Sequence, residues 1–404
     1  MVKIKNSFTQ LWSIFTILVF AALVAFIFLY SQARYSEKNQ ILLERNLEQQ
    51  VASASSRIKI LDEQVATLEA EPLRVKDQQI LSDLSNLKAV YKSAMDQYEQ
   101  ILLLQEQPVS KLTTIDNLFA AVLSSLSQDN YKLAQDNLQK LSTEITKEKT
   151  RLANLAPANI ETIPVNVPAK STPPASGYSR QKVSVGGLGD ILVDIVAADL
   201  SSTKVIVDTA SGGTCMNDCP VLPLATYVSR TGAYAGINGS YFCPTSYPSC
   251  AGKTNSFDLL VMNKDKVYFN SDNNVYSNNP GVVFGSGYIR FLTAVSQWGR
   301  DTSIDGMISN FPLLVFNGSI TFGGNSDSKQ TIRTSRGFVA NKGNTVYIGI
   351  IHGVSTAESA MVLKTMGMDN ALNLDDAGSA ALWSGGYKVG PGRDLPNAIL
   401  FVRK

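Results

Sequence analysis

The rhythm of polar and apolar positions changes three times along the chain. From Leu11 to Tyr30 no side chain is charged, and a run of about twenty such residues suffices to cross a bilayer as a helix. Lys3 and Lys5 precede it. The apolar stretch continues through Phe26, Ile27, Phe28 and Leu29, longer than the core of a cleavable leader. An uncleaved membrane anchor is therefore expected over residues 1–35.

A helical rhythm follows. Leu47, Val51, Ala54, Ile58, Leu61, Val65 and Leu68 recur at alternating spacings of four and three, the a/d seam of a coiled coil. Pro72 interrupts it, and a second seam (Ile80, Leu84, Leu87, Tyr91, Ala94, Tyr98 and Ile101) runs to Pro108. A third helical stretch is predicted from near Thr114, bending at Asp129-Asn130 and ending about Leu155. Residues 36–155 thus read as a helical coiled-coil stalk, either folded back as a hairpin or paired with a second copy.

Pro157, Pro164, Pro168, Pro173 and Pro174 then mark residues 156–177 as a semi-extended linker. From Tyr178 the texture becomes short β-branched runs broken by Gly, Asn and Ser: Ile191–Val196, Lys204–Val207, Leu259–Met262, Val346–Ile351 and Ile399–Val402. One helix stands among them, with Ser355 and Glu358 as a capping box, Ala360 to Met366 as its apolar face and Gly367 as its stop. The fold class is α+β, with a transmembrane helix and helical stalk ahead of a mixed catalytic-type domain at 178–404. The fragment Gly186-Gly187-Leu188-Gly189 lacks the strand-turn-helix context of a dinucleotide fingerprint.

Composition narrows the function. A formal net charge of +2 without a basic run excludes a phosphate-tracking nucleic-acid binder. His352 is the one histidine, which excludes a multi-histidine metal centre and leaves a single base for any Ser-His-Asp arrangement. Cys215, Cys219, Cys243 and Cys250 cluster behind the apolar leader, as two disulfides in an oxidising compartment do. Of three pairings, Cys215–Cys219 with Cys243–Cys250 is the most local. A four-thiolate zinc site competes, although the spacings fit a zinc knuckle poorly. The disulfides put the C-terminal domain outside the cell membrane, on a single-pass anchor.

The stretch Asn373–Trp383, NLDDAGSAALW, carries the densest chemistry. Leu372 and Leu374 alternate with Asn373 and Asp375 as in a strand. Asp376, Ala377 and Gly378 break the alternation, and Ser379 is expected to cap a helical turn through Leu382. A carboxylate and an amide are thus held at a strand end beside backbone N–H groups that can receive an anion.

Together with INGSYF (Ile237–Phe242), FPLLVFNG (Phe311–Gly318) and RTSRGFVA (Arg333–Ala340), this stretch resembles the phosphodiester glycosidase family. The family's Asn-Gly-Gly-Tyr-Phe segment is matched by Asn238, Gly239, Tyr241 and Phe242, with Ser240 for a glycine. In its arginine segment Arg336 takes the arginine position. Its Asn-Leu-Asp-Gly-Gly-Gly-Ser segment is matched by Asn373, Leu374, Asp375, Gly378 and Ser379, with Asp376 and Ala377 for two glycines. His352 stands where the family usually has an aspartate.

The resemblance implies hydrolysis of a sugar-1-phosphodiester in envelope or exopolysaccharide glycan. Such a substrate needs a phosphate clamp, an acid or base, and anchors for hydroxyls. Arg336 suits the clamp, with Arg333 behind it. Asp375 suits acid–base or nucleophilic work, and Asp376 its partner or a cation ligand. Asn238 and Asn373 suit sugar hydroxyls, beside Gly239, Ser240 and Gly378, while Ser379 suits the phosphate. No cofactor is required, and a divalent cation is the one the carboxylates leave open. Expected partners are a carbohydrate or sugar phosphate, the membrane through Leu11–Tyr30, and a second copy through the stalk. A catalytically lapsed glycan-binding module and a serine hydrolase using His352 are the alternatives.

Overall fold

The structure, a computed structural model, describes residues 53–54, 57, 73–105, 107, 110–154 and 166–404. The expected anchor at Leu11–Tyr30 and nearly all of the first seam lie outside the described residues. Among the described residues, no helix is long and apolar enough to cross a membrane.

The chain forms two compact units, residues 1–90 with 120–136 and residues 91–119 with 137–404. Three helices precede the sheets: α1 (Leu73–Gln105), α2 (Thr113–Ser127) and α3 (Tyr131–Ala153). The second seam lies along α1, where Ala94 and Ile101 are buried. In the first unit Asp129 takes a φ of 55°, and the Asn130 side chain accepts from Leu133 N at 3.1 Å. The chain therefore breaks where the bend was expected. In the second unit Tyr98 stacks on Phe119 at 5.4 Å, and Glu148 accepts from Lys111 N at 2.7 Å. These contacts lie within one chain, as a fold-back of the helices requires.

The linker ends earlier than the proline pattern suggests. Ala169 bridges Lys182 in parallel, and Lys170 N donates to Lys182 O at 3.0 Å. The reason is Gln181, fully buried, whose amide donates to the carbonyls of Lys170 and Thr172. A buried amide without such partners is costly, so this end of the Pro-rich segment is drawn onto the sheet.

The elements of the domain are, in chain order, β1 (Gly177–Val185), β2 (Gly189–Asp199), β3 (Thr203–Thr209), α4 (Leu224–Thr231), β4 (Ala235–Asn238), β5 (Val261–Met262), β6 (Tyr268–Phe269), α5 (Asn273–Tyr276), β7 (Gly281–Gly285), β8 (Tyr288–Leu292), β9 (Gly306–Ser309), β10 (Leu313–Phe316), β11 (Ser319–Ile320), α6 (Ser328–Thr331), β12 (Thr334–Lys342), β13 (Thr345–Val354), α7 (Thr356–Thr365), β14 (Asn370–Asn373), β15 (Leu382–Ser384), β16 (Tyr387–Val389) and β17 (Asn397–Arg403). They make a seven-stranded sheet in the order β1-β2-β13-β12-β14-β10-β11 and two five-stranded sheets, β16-β15-β4-β17-β3 and β6-β5-β9-β7-β8. The Gly186–Gly189 fragment is the hairpin turn between β1 and β2.

The large sheet is covered on both faces, which explains the near-continuous apolar runs of β2 and β13. One face packs Ile195, Phe338 and Ala340 against Ala360, Leu363 and Met366 beside α7. The other packs Val196, Val339, Ile348 and Leu372 against Val207, Ile237 and Ile399 of the second sheet and Val282 and Ile308 of the third. Helix α7 begins as expected: Ser355 Oγ accepts from Glu358 N, and Glu358 accepts from Ser355 N. It stops at Gly367, where φ is 73°. Ser355→Ala removes one side of this box and is expected to cost about 1 kcal/mol. Urea unfolding should show a lower midpoint at an unchanged slope.

Candidate functional site

The site forms where β14 runs out. Asn373 pairs with Phe338 of β12, and Leu374 N donates to Gly337 O at 2.9 Å. Leu372 and Leu374 are buried, as their alternation predicts. The chain then leaves the ladder through Asp375 and Asp376 into a 3-10 turn, Ala377–Ser379. Ser379 closes this turn instead of capping a helical one, because Ala380 to Leu382 are drawn out towards β15. Ala377 carries a φ of 54°, a left-handed conformation in which the family's glycine is at ease and a side chain is strained.

Asp376 is the hub of a buried network. Its Oδ2 accepts from Arg336 Nη1 at 2.6 Å, Tyr241 Oη at 2.9 Å and Asn373 Nδ2 at 3.3 Å. Asn373 Nδ2 also donates to Tyr241 Oη at 2.6 Å. Burial, followed by the Asp376 charge, holds the Tyr241 hydroxyl well above the usual phenol range, so it stays a donor.

Arg336 is only 1% exposed. Its remaining N–H groups donate to the carbonyls of Val354, Lys329 and Ile332. This corrects the sequence expectation of an open phosphate clamp: a guanidinium whose donors are spent inside the protein anchors the turn instead. The same holds for Asn373, which orients Asp376 and Tyr241. Tyr241, marked in the sequence only as a motif match, belongs to the network as well.

The other sequence-marked residues hold the backbone of the turn. Asn238 Nδ2 donates to Asp375 O at 2.7 Å, and its Oδ1 accepts from Ala381 N at 3.0 Å. Gly239 O accepts from Asp375 N at 2.9 Å. Ser240 is buried against Asn397, whose Oδ1 accepts from Ser240 N at 2.9 Å. A Cβ on Gly337 would stand 2.8 Å from Asp375 O, so only glycine lets the turn lie this close to β12.

Asp375 has a different environment from its neighbour. Its residue is partly exposed although the carboxyl lies deep among protein atoms. Burial pushes that carboxyl up to about 7 against the pull of a Ser379 hydrogen bond, and the Asp376 charge adds to the rise. Arg393 works the other way: its Nη1 donates to Ser379 Oγ at 3.3 Å, and its N donates to Gly378 O. Arg393 also lies over the ring of Tyr247 at 5.7 Å. Tyr247 sits in the loop closed by the Cys243–Cys250 disulfide, and Cys215–Cys219 is the other bridge.

Two of the expected residues lie apart from this network. Arg333 pairs with Glu358 through Nε at 3.0 and 3.1 Å and lines a cavity of about 340 Å³ with Lys149, Thr150 and Ser355. His352, on β13, places Nε2 2.8 Å from Asp194 Oδ2. Among the described residues no group of three His, Cys, Asp or Glu gathers to hold a metal. The buried oxygens left without a partner here are Asn373 Oδ1 and Asp376 Oδ1.

Residues 231–402 match the family model described as phosphodiester glycosidase, and the chain resembles that family. No curated protein matches the chain. Among solved structures it is similar to the zebrafish N-acetylglucosamine-1-phosphodiester alpha-N-acetylglucosaminidase catalytic domain auto-inhibited by its pro-peptide: 14% identity, 63% of this chain, 93% of that one, TM-score 0.46. It is also similar to a hypothetical protein from Synechocystis: 16% identity, 56% of this chain, TM-score 0.40. The match spans 62% of the Synechocystis chain, under two thirds of its length.

Arg336→Ala leaves Asp376 buried beside an empty space, and a loss of about 3–5 kcal/mol is expected in chemical denaturation. Asp375 titrates in the opposite sense to a salt-bridged carboxylate. Its folded form holds the proton up to about 7, against 3.8 for the ordinary group, so its contribution is complete below 3.8 and is lost as pH rises to 7. Asp375→Asn should remove that decline, measured as unfolding free energy from pH 4 to 8.

Proposed function

We propose that the domain at 178–404, which resembles the phosphodiester glycosidases, hydrolyses the bond between a sugar and a phosphodiester. The observation that carries this is the Asp375 carboxyl, raised to about 7 by burial and seated at a partly exposed strand end. An acid of that strength still holds its proton near neutrality and can hand it to the departing phosphate oxygen. Water attacks the sugar's anomeric carbon as that C–O bond breaks, and the proton the water loses returns to the Asp375 carboxylate. Arg393, half-buried beside Ser379, takes the clamp role that sequence gave to Arg336, since guanidinium suits a phosphate. Asp376 and Arg336 keep the turn in place.

The wider setting follows from sequence. Leu11–Tyr30 is read as the anchor in the cell membrane with the domain outside, a reading that the two disulfides support, and an envelope or exopolysaccharide glycan is then the substrate within reach. The stretch at 36–155, of which α1 to α3 are the described helices, is then the spacer and the surface for a second copy. A divalent cation is not needed by this chemistry.

The test is turnover of a sugar-1-phosphodiester by the full chain in detergent. Asp375→Asn should lower kcat by about 10²–10⁴ with little change in KM. Wild-type kcat should fall as pH rises through about 7, where the acid loses its proton. Saturable binding of the same compound with no turnover in wild type would replace this assignment with a glycan-binding module.

A further inference from the structure

Apart from the Asp376 network, three side chains from three neighbouring strands stand in a line on the large sheet. Ser335 Oγ of β12 is 3.4 Å from His352 Nδ1 of β13, and His352 Nε2 is 2.8 Å from Asp194 Oδ2 of β2. Asp194 is fully buried, and its other oxygen accepts from Tyr178 Oη at 2.5 Å. Arg180 Nε lies 3.8 Å from that same oxygen. Burial above all, then the bond to Asp194, raises the Tyr178 hydroxyl, so it remains a donor.

The proton placement follows from the donors. A carboxylate only accepts, so the shared proton resides on His352 Nε2, and Nδ1 is left with its lone pair towards Ser335. The order is nucleophile, base and orienting acid, the arrangement that activates a hydroxyl. The Asp194 bond here uses Nε2 and the serine Nδ1, and the chemistry is indifferent to that exchange because both ring nitrogens belong to one conjugated base.

The backbone is irregular at the same point. Thr334 pairs with Val354 and Arg336 with Ile351, so His352 and Gly353 together face Ser335. Gly353 takes a φ of 65°. Such a bulge breaks the ladder and re-aims a side chain. A histidine needed only as filler would be satisfied by Asp194 alone. Here the strand is bent where Ser335 stands, and Ser335 is itself only partly buried.

We propose that Ser335 is a nucleophile activated by His352 and Asp194, and that this second centre hydrolyses small carboxylic esters. In the first step the Ser335 Oγ–carbonyl carbon bond forms and the Oγ proton passes to His352 Nδ1. The carbon–oxygen bond to the alcohol then breaks, and the leaving oxygen takes that proton. Water, deprotonated by Nδ1, attacks the acyl carbon; the carbon–Oγ bond breaks, Ser335 Oγ takes the proton back from Nδ1, and the carboxylic acid leaves. The His352 side chain is 8% exposed, which restricts the acyl group to a short one. The chemistry goes beyond phosphodiester cleavage and does not depend on Asp375.

The full chain is treated with a fluorophosphonate probe and mapped by peptide mass spectrometry, with p-nitrophenyl acetate as the turnover substrate. The expected result is one adduct, on Ser335, absent from Ser335→Ala, with labelling about a hundredfold or more slower in His352→Gln. An acetyl burst should accompany it in wild type. No adduct on Ser335 in the wild-type chain overturns the proposal. So does a folded His352→Gln protein that labels at the wild-type rate, since Ser335 would then react without its base.

Discussion

A carboxylate withdrawn from water governs this domain. Burying Asp376 unpaired would cost several kcal/mol, and the structure meets that cost with a guanidinium, a phenol and an amide converging on one oxygen. Those donors come from β12, the segment after β4, and β14. Satisfying one charge therefore fixes the relative positions of three elements that are far apart in sequence. Two adjacent aspartates then meet different fates. Asp376 is spent on architecture, and Asp375, left with Ser379 and the Asp376 N–H, is the carboxyl that burial raises.

The surrounding fold protects this arrangement. Asn238 grips the turn from both sides, through Asp375 O and Ala381 N, and so ties β4 of the second sheet to the turn that leaves the large one. The Cys243–Cys250 loop leaves from the residues just after Tyr241 and carries Tyr247 to Arg393. Helix α1 touches the same loop, where Glu99 accepts from Ser249 N at 2.9 Å. The two Asn238 bonds spend a fully buried amide where water is scarce, which is where a hydrogen bond discriminates most strongly between one geometry and another.

Local rules carried much of this in the sequence. The capping box of α7, the alternation of Leu372 and Leu374, the break at Asp129 and the most local cysteine pairing all depend on near neighbours, and all appear as expected. What sequence hid was direction. Arginine chemistry suits phosphate, but at Arg336 strand alternation beside Phe338 and Ala340 turns the side chain towards the α7 side and into carbonyls. Asp194 announced itself faintly, as a charge within an apolar strand, yet its partner lies 158 residues away. Arg393 and Asn397 lie in or beside a loop with no periodicity to mark them, and only folding brings them to the turn.

The left-handed backbone at Ala377 limits how this loop can drift over generations. Branching at Cβ is close to forbidden in that region, while glycine, asparagine and aspartate enter it with less strain. Variation at the tip is thus funnelled towards small or amide-bearing residues. The neighbour on one side, Asp376, is extended but already committed to its buried partners, so the tip can change in size and amide character while the residue before it stays an aspartate.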